Sequence, residues 1–194
     1  MSLFKKLFNK ASSEEKEAQK QEVHLSLDDA FVHHFIEKGG KFLYCISADE
    51  VSKNLDRILD ENSWDKVTSS DKSIKKYLKG KKIKIESDFE KTLPFFTTCE
   101  HLISDNGDIL FSSNQLSTHK IASLTDNFIV FAKTSQLVKN TGQGLTGIKS
   151  NCKDNIPTNI SAVKNYTLKN DDDSFLNYGN SNSKNLYLLL LEDL

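Results

Sequence analysis

From Asp28 onward the apolar residues recur with two periods, and their alternation sets the order of elements. In DDAFVHHFIEKGG (28–40) Phe31 and Phe35 stand four apart, Asp28 is a plausible N-cap and Gly39-Gly40 supplies a stop, so a helix is predicted. FLYCI (42–46) is a short unbroken apolar run, the pattern of a strand covered on both faces. Ser47 or Asp49 then caps a helix on which Val51, Leu55, Ile58 and Leu59 form one stripe, ending near Trp64. Ile74, Tyr77 and Leu78 suggest a short helix, and IKIE (83–86) a short strand suited to an edge.

The second half is richer in strands, predicted at 94–98, 109–113, 127–132 and 186–191. Asn106-Gly107 lies between apolar flanks and predicts a tight hairpin, because both residues tolerate the positive φ of a type I′ turn. After NFIVFA (127–132), Thr134 or Ser135 can cap a helix carrying Leu137, Val138, Leu145 and Ile148, despite three intervening glycines. Pro157 opens an extended segment and KNDDDS (169–174) a polar connection. The final run NLYLLLL is the most apolar of all, which predicts a strand inside a sheet rather than at its edge. Continuous apolar strands alternating with helices imply a three-layer α/β domain, since only a doubly covered sheet buries such runs well.

Composition separates residues 1–22 from the rest. Phe4, Leu7 and Phe8 share one helical face, and a Glu/Lys/Gln/Ser tract follows. The expectation is a flexible charged tail, with an interfacial or partner-docking helix as the functional alternative, ahead of an α/β domain over 23–194. Lys and Arg total 26 against 27 Asp and Glu, a net charge of -1 that lacks the positive field of a general nucleic-acid binder. Arg57 is the single arginine, so an anion would be held by lysines, backbone N–H groups or hydroxyls. The longest apolar run is too short to span a membrane, and no secretory signal is evident. The 3 cysteines, Cys45, Cys99 and Cys152, are far apart and include no C-x-x-C pair, which supports neither a disulfide framework nor a metal or iron–sulfur ligand set. A reduced, cytoplasmic protein without cofactor or metal is the expectation.

Candidate chemistry is sparse. Neither G-x-G-x-x-G after a strand nor G-x-x-x-x-G-K-[ST] occurs, and TGQGLTGIK (141–149) mimics only part of such a loop. Cys99 and His101 would face the same side of a strand, a loose nucleophile and base without an orienting partner, and a buried core cysteine accounts for the same pattern. His33 and His34 point about 100° apart on a helix and make no metal site. Polar clusters at strand ends carry more weight, because open α/β sheets bind ligands there. Two stand out, Ser112-Ser113-Asn114-Gln115 and Thr134-Ser135-Gln136. Ordinary capping chemistry explains Thr134 and Ser135 equally well.

Read in order, three stretches carry a resemblance to a known family: Asp105-Asn106-Gly107-Asp108 followed by ILFSS, then NFIVFAKTSQLV, and last DDDSFLNYGNSNSKNLYLLLLED. The chain resembles the LUD domain, the lactate-utilisation protein B/C family, over roughly residues 25–194, and looks closest to its short single-domain members. The resemblance implies the fold of sugar-phosphate isomerases and CoA transferases, an α/β three-layer sandwich around a mostly parallel sheet, and a role in oxidising L-lactate to pyruvate beside an iron–sulfur partner. Carried over by residue, it places Asp105, Gly107 and Asp108 in the family's acidic turn, with Asn106 where Thr is usual. It places Tyr178 and Gly179 in the glycine-bearing turn before the last strand. Lys164-Asn165-Tyr166-Thr167 stands where a Gly-Pro-Ser-like loop is expected.

Three functions follow from these readings. The first is an accessory, non-catalytic subunit of a lactate-oxidising system. The second is an enzyme acting on an acyl, CoA-ester or sugar-phosphate substrate, with Glu100 as nucleophile or base. The third is a binding or interaction module that uses the N-terminal tail to dock, or that takes a small acidic or phosphorylated ligand. Any ligand is expected near the acidic turn and the two polar clusters. Glu100 separates the first two, since an enzyme needs that carboxylate facing an open pocket.

Overall fold

The computed structural model describes residues 25–71, 73–78, 81, 83–86, 89, 91–152, 156–168 and 182–193. The expected tail at 1–22, and Tyr178 and Gly179, lie outside them. Helix α1 (Leu27–Glu37) leads to β1 (Lys41–Cys45), α2 (Ala48–Glu61), β2 (Lys66–Thr68), the short α3 (Lys75–Leu78) and β3 (Lys84–Glu86). Then come β4 (Phe95–Thr98), β5 (His101–Ile103), β6 (Asp108–Phe111), the single turn α4 (Ser113–Leu116) and β7 (Asn127–Lys133). The two-residue β8 (Leu137–Val138), α5 (Thr141–Asn151), β9 (Ser161–Val163) and β10 (Asn185–Leu191) complete the order.

Six strands form a parallel sheet in the order β1-β10-β7-β4-β2-β3. β10 sits inside it, between β1 and β7, with five consecutive buried residues, as a run apolar on both faces requires. One face packs on α2 and α3 through Val51, Leu55, Ile58, Tyr77, Phe96 and Ile129. The other packs on α1 and on a second sheet, β8-β5-β6-β9, through Phe31, Phe35, Phe95, Leu102, Phe111 and Phe128. One outer layer of the sandwich is therefore helical and the other is built largely from this small mixed sheet.

Local chemistry moves several expected boundaries. Ser26, not Asp28, caps α1: its Oγ accepts from Asp29 N and its carbonyl accepts from Ala30 N, which leaves Asp28 in the first turn. Ser47 caps α2, and Gly39 takes φ +88 after α1. The Asn106-Gly107 turn is not a two-residue type I′ hairpin. The register pairs Ile103 with Asp108, leaving a four-residue loop in which only Gly107 takes positive φ, at +70. The cause is β8: Ser104 N and Asp105 N donate to Val138 O and Lys139 O, which draws them away from the β6 ladder. The helix expected from Thr134 is also interrupted. Thr134–Gln136 forms one 3₁₀ turn, Leu137–Val138 pairs in parallel with β5, and α5 starts only after its own cap, Asn140.

Candidate functional site

Carboxyl ends of parallel strands collect the unpaired backbone groups and loops of an α/β sheet, so ligand chemistry concentrates there. Here β2 connects outward to β3 while β4 lies on its other side, which makes the β2/β4 boundary a switch point. The loops above it are tied together by side chains. Thr98 Oγ1 donates to Asp71 Oδ2 at 2.6 Å, and Ser70 Oγ donates to Gln115 O at 3.1 Å.

Glu100 follows directly. The β5–β6 hairpin folds the chain back so that Glu100 N donates to Leu110 O, which sets its side chain beside the residues leaving β6. Its Oε1 accepts from Ser112 Oγ at 2.6 Å, Asn114 Nδ2 at 2.9 Å and Gln115 Nε2 at 3.2 Å. Ser112 also caps α4, with Gln115 Oε1 accepting back from Ser112 N at 2.9 Å. Ser113 does something else, exchanging hydrogen bonds with the backbone of Thr158.

The second cluster joins the first from β7. Gln136 Nε2 donates to Cys99 O at 2.6 Å and to Glu100 O at 3.2 Å. Thr134 Oγ1, Ser135 N and Ser135 Oγ all donate to the Asp193 carboxylate just past β10, at 3.0, 2.9 and 2.8 Å. Lys133 Nζ adds an ion pair at 3.2 Å. Partial desolvation pushes the Asp193 carboxyl up, but the hydrogen bonds from Ser135, Thr134 and Lys133 outweigh it and bring it down to about 2.

That depression has a sign that can be checked. A carboxyl lowered on folding stabilises above its unfolded pKa, near 4, and loses the effect as pH falls towards 2. Asp193→Asn is expected to lower stability at pH 7 by about 1 kcal/mol; the drop from 3.8 to about 2 would in full give about 2.4, and water screens this accessible group. In urea titrations the variant and the parent should converge between pH 4 and 2. An unchanged gap at pH 2 would show that charge contributes nothing.

The acidic turn stands apart from both clusters. Asp108 opens β6 and Ser112 follows its far end, about 13 Å along the strand. Its polar groups serve packing: Lys38 Nζ donates to Asn106 O and pairs with Asp108 Oδ1 at 3.0 Å, and Tyr166 OH donates to Gly107 O at 2.6 Å. Asp105 lies in the same loop, its N–H bound to Lys139 O. The structure thus brings Glu100, Ser112, Asn114, Gln115 and Gln136 together and leaves Asp105–Asp108 at the opposite end of the small sheet.

Cys99 and His101 are not a pair. Cys99 is buried in the core, where desolvation first and the Glu100 charge second push its thiol far up, while His101 Nδ1 lies 3.2 Å from Gln136 O. A cleft of about 380 Å³ opens beside the Asp193 cluster, at the ends of β1, β7 and β10, lined by Leu27, Asp28, Tyr44, Thr134, Ser135, Leu137 and Glu192. Burial, a hydrogen bond to Glu192 and the charges of Glu192 and Asp28 raise the Tyr44 phenol to about 12. Sequence reading missed Tyr44, Asp71, Glu192 and Asp193, each of which lies on or just past a strand whose carboxyl end faces this edge. Among the described residues no three His, Cys, Asp or Glu side chains converge to hold a metal, and no helix is long and apolar enough to cross a membrane.

The LUD domain family model matches residues 29–191, nearly the whole described fold and both strand-end clusters. The chain belongs to the LUD domain family. A DUF162 family protein from Deinococcus radiodurans, known from a crystal structure at 1.70 Å, superimposes on this LUD domain with a TM-score of 0.60. It shares 13% identity and covers 87% of this chain and 99% of its own, which shows a common fold. No curated protein matches the chain.

Proposed function

We propose that this LUD-domain chain supports the oxidation of L-lactate to pyruvate as a non-catalytic subunit beside an iron–sulfur partner. One observation carries the reading: the donors suited to hold a small acid are already used by the chain's own carboxylates. Ser112, Asn114 and Gln115 donate to Glu100, and Thr134 and Ser135 to Asp193. A lactate carboxylate would have to displace an internal one at each cluster. Glu100 does not line the cleft, and a carboxylate oxygen with three donors is a structural acceptor before it is a nucleophile.

Oxidising a C–H bond also needs an electron acceptor. Cys45 and Cys99 lie in cores on opposite faces of the parallel sheet, and Cys152 ends α5, so the three thiols do not converge on a cluster. In this reading the redox centre sits on the partner. Deleting the gene should slow growth on lactate, with recovery on its return, and the purified chain should not oxidise lactate with an artificial acceptor. Normal growth of the deletion strain would instead favour an enzyme acting on an acyl, CoA-ester or sugar-phosphate substrate, for which the place of Glu100 and Asp71 at the switch point speaks. Lactate oxidation by the chain alone would end the non-catalytic reading.

A further inference from the structure

The cleft at the ends of β1, β7 and β10 has a character that no lactate-like anion suits. Its walls are the Leu27 and Leu137 side chains and the Tyr44 ring, and its charged groups are the Asp28 and Glu192 carboxylates. Tyr44 hydrogen-bonds Glu192, and Asp28 lines the same cleft. Among the described residues neither acid forms an ion pair, and the nearby Lys133 ammonium is turned to Asp193. Leu27 on its wall is 45% exposed, and Leu25, two residues earlier in the chain, is 50% exposed. An occupant matched to this site carries positive charge alternating with apolar side chains.

The chain itself holds such a segment. Phe4-Lys5-Lys6-Leu7-Phe8 places two ammonium groups between three apolar side chains. Described residues begin at Leu25, two positions before Leu27 on the cleft wall, so the connection from Phe8 ends at the rim. The connection, 9–24, has 16 residues, and a chain of that length reaches up to about 53–58 Å, ample for a return to a site this close. We propose that the cleft is the docking site of residues 4–8, with apolar side chains entering between Leu27, Leu137 and Tyr44 and Lys5 and Lys6 facing Asp28 and Glu192.

A flexible tether of 16 residues would give an effective concentration of about 1 mM. Occupancy therefore needs only millimolar affinity as a free peptide, within reach of two apolar side chains and a charge pair. The docked segment covers Leu27 and leaves the Glu100 cluster untouched. Release of the segment would bare an apolar, acidic surface.

The test is by NMR on the full chain. In the parent, the amide signals of Leu27, Ser135, Leu137 and Glu192 should report an occupied cleft, unchanged from 20 to 500 µM protein. Phe4→Asp with Phe8→Asp should shift those signals, and so should Lys5→Glu with Lys6→Glu. Adding the peptide MSLFKKLFNK to the Phe4→Asp/Phe8→Asp chain should return them with a midpoint near 1 mM. Asp28→Lys with Glu192→Lys, combined with Lys5→Glu and Lys6→Glu, should restore the occupied state that either pair alone loses. Cleft signals that ignore all changes at residues 4–8 overturn the proposal, whether the cleft is empty or takes a small cation. Shifts that depend on protein concentration overturn it in favour of a second copy of the chain.

Discussion

Gly107→Val should be the most damaging single change at the hairpin, lowering stability by about 3 kcal/mol or more and the melting temperature by roughly 6–12 °C. Two independent costs add. Gly107 sits at φ +70, where a β-branched residue is strained by about 1–2 kcal/mol. A Cβ there would also stand 2.7 Å from Phe35 N and 2.8 Å from the His34 carbonyl carbon. Those are backbone atoms inside α1, so the clash cannot be relieved by a rotamer change. Relief requires moving α1 off the hairpin, which would pull on the Lys38–Asp108 pair and on the Tyr166 hydrogen bond to Gly107 O. Gly107→Ala isolates the contact, because alanine tolerates positive φ better yet carries the same Cβ. Thermal unfolding of both variants decides the matter: an alanine variant within about 1 kcal/mol of the parent would mean that conformational strain alone explains the glycine.

The large sheet was legible because its information is local. NFIVFAK and NLYLLLL are apolar on both faces, which only a doubly covered parallel strand buries, and β10 could be placed inside the sheet on composition alone; KFLYC shows the same run, yet as β1 at the sheet edge it is mostly half-buried. The small sheet was not legible, since its strands owe their pairing to partners rather than to their own pattern. Leu137–Val138 offers two residues to β5, and its spacing to Leu145 and Ile148 imitates a helical stripe. The glycines of α5 likewise read as interruptions, but they allow the helix to lie against β5. A Cβ on Gly144 would stand 2.9 Å from Leu110 Cδ1, and one on Gly147 would stand 2.7 Å from His101 Nε2.

The site was legible in pieces. Glu100 and Ser112–Gln115 could each be named, but joining them needed the hairpin register: His101 opposite Leu110 puts Glu100 next to the residues that follow β6. Grouping the acidic turn with these clusters overlooked that a strand separates its two ends. Asp193 gave no signal, since its role comes from three donors 58–59 residues away that only the β7–β10 pairing brings near.

Phe128→Ala should cost about 3–5 kcal/mol, the largest loss expected from any one truncation in the shared core. Phe128 is fully buried on β7 and meets Phe95 of β4 edge-on at 5.2 Å and Phe111 of β6 at 6.1 Å. It therefore joins the parallel sheet to the small sheet, and each ring pair contributes about 0.5–1.5 kcal/mol beyond area burial. The buried Lys184 ammonium also lies 5.5 Å from the ring centroid, bonded to Leu124 O at 3.2 Å. Removing the ring takes away a favourable face for a charge that burial already opposes. Phe128→Leu keeps most of the volume and should cost markedly less, which separates the cavity from the aromatic contribution. Urea unfolding of Phe128→Ala, Phe95→Ala and the double variant measures the coupling, expected at about 0.5–1.5 kcal/mol. Losses that simply add would show that the two rings share area but no specific interaction. A Phe128→Ala cost below about 2 kcal/mol would mean that the two sheets close over the gap, and that the ring is not what fixes their separation.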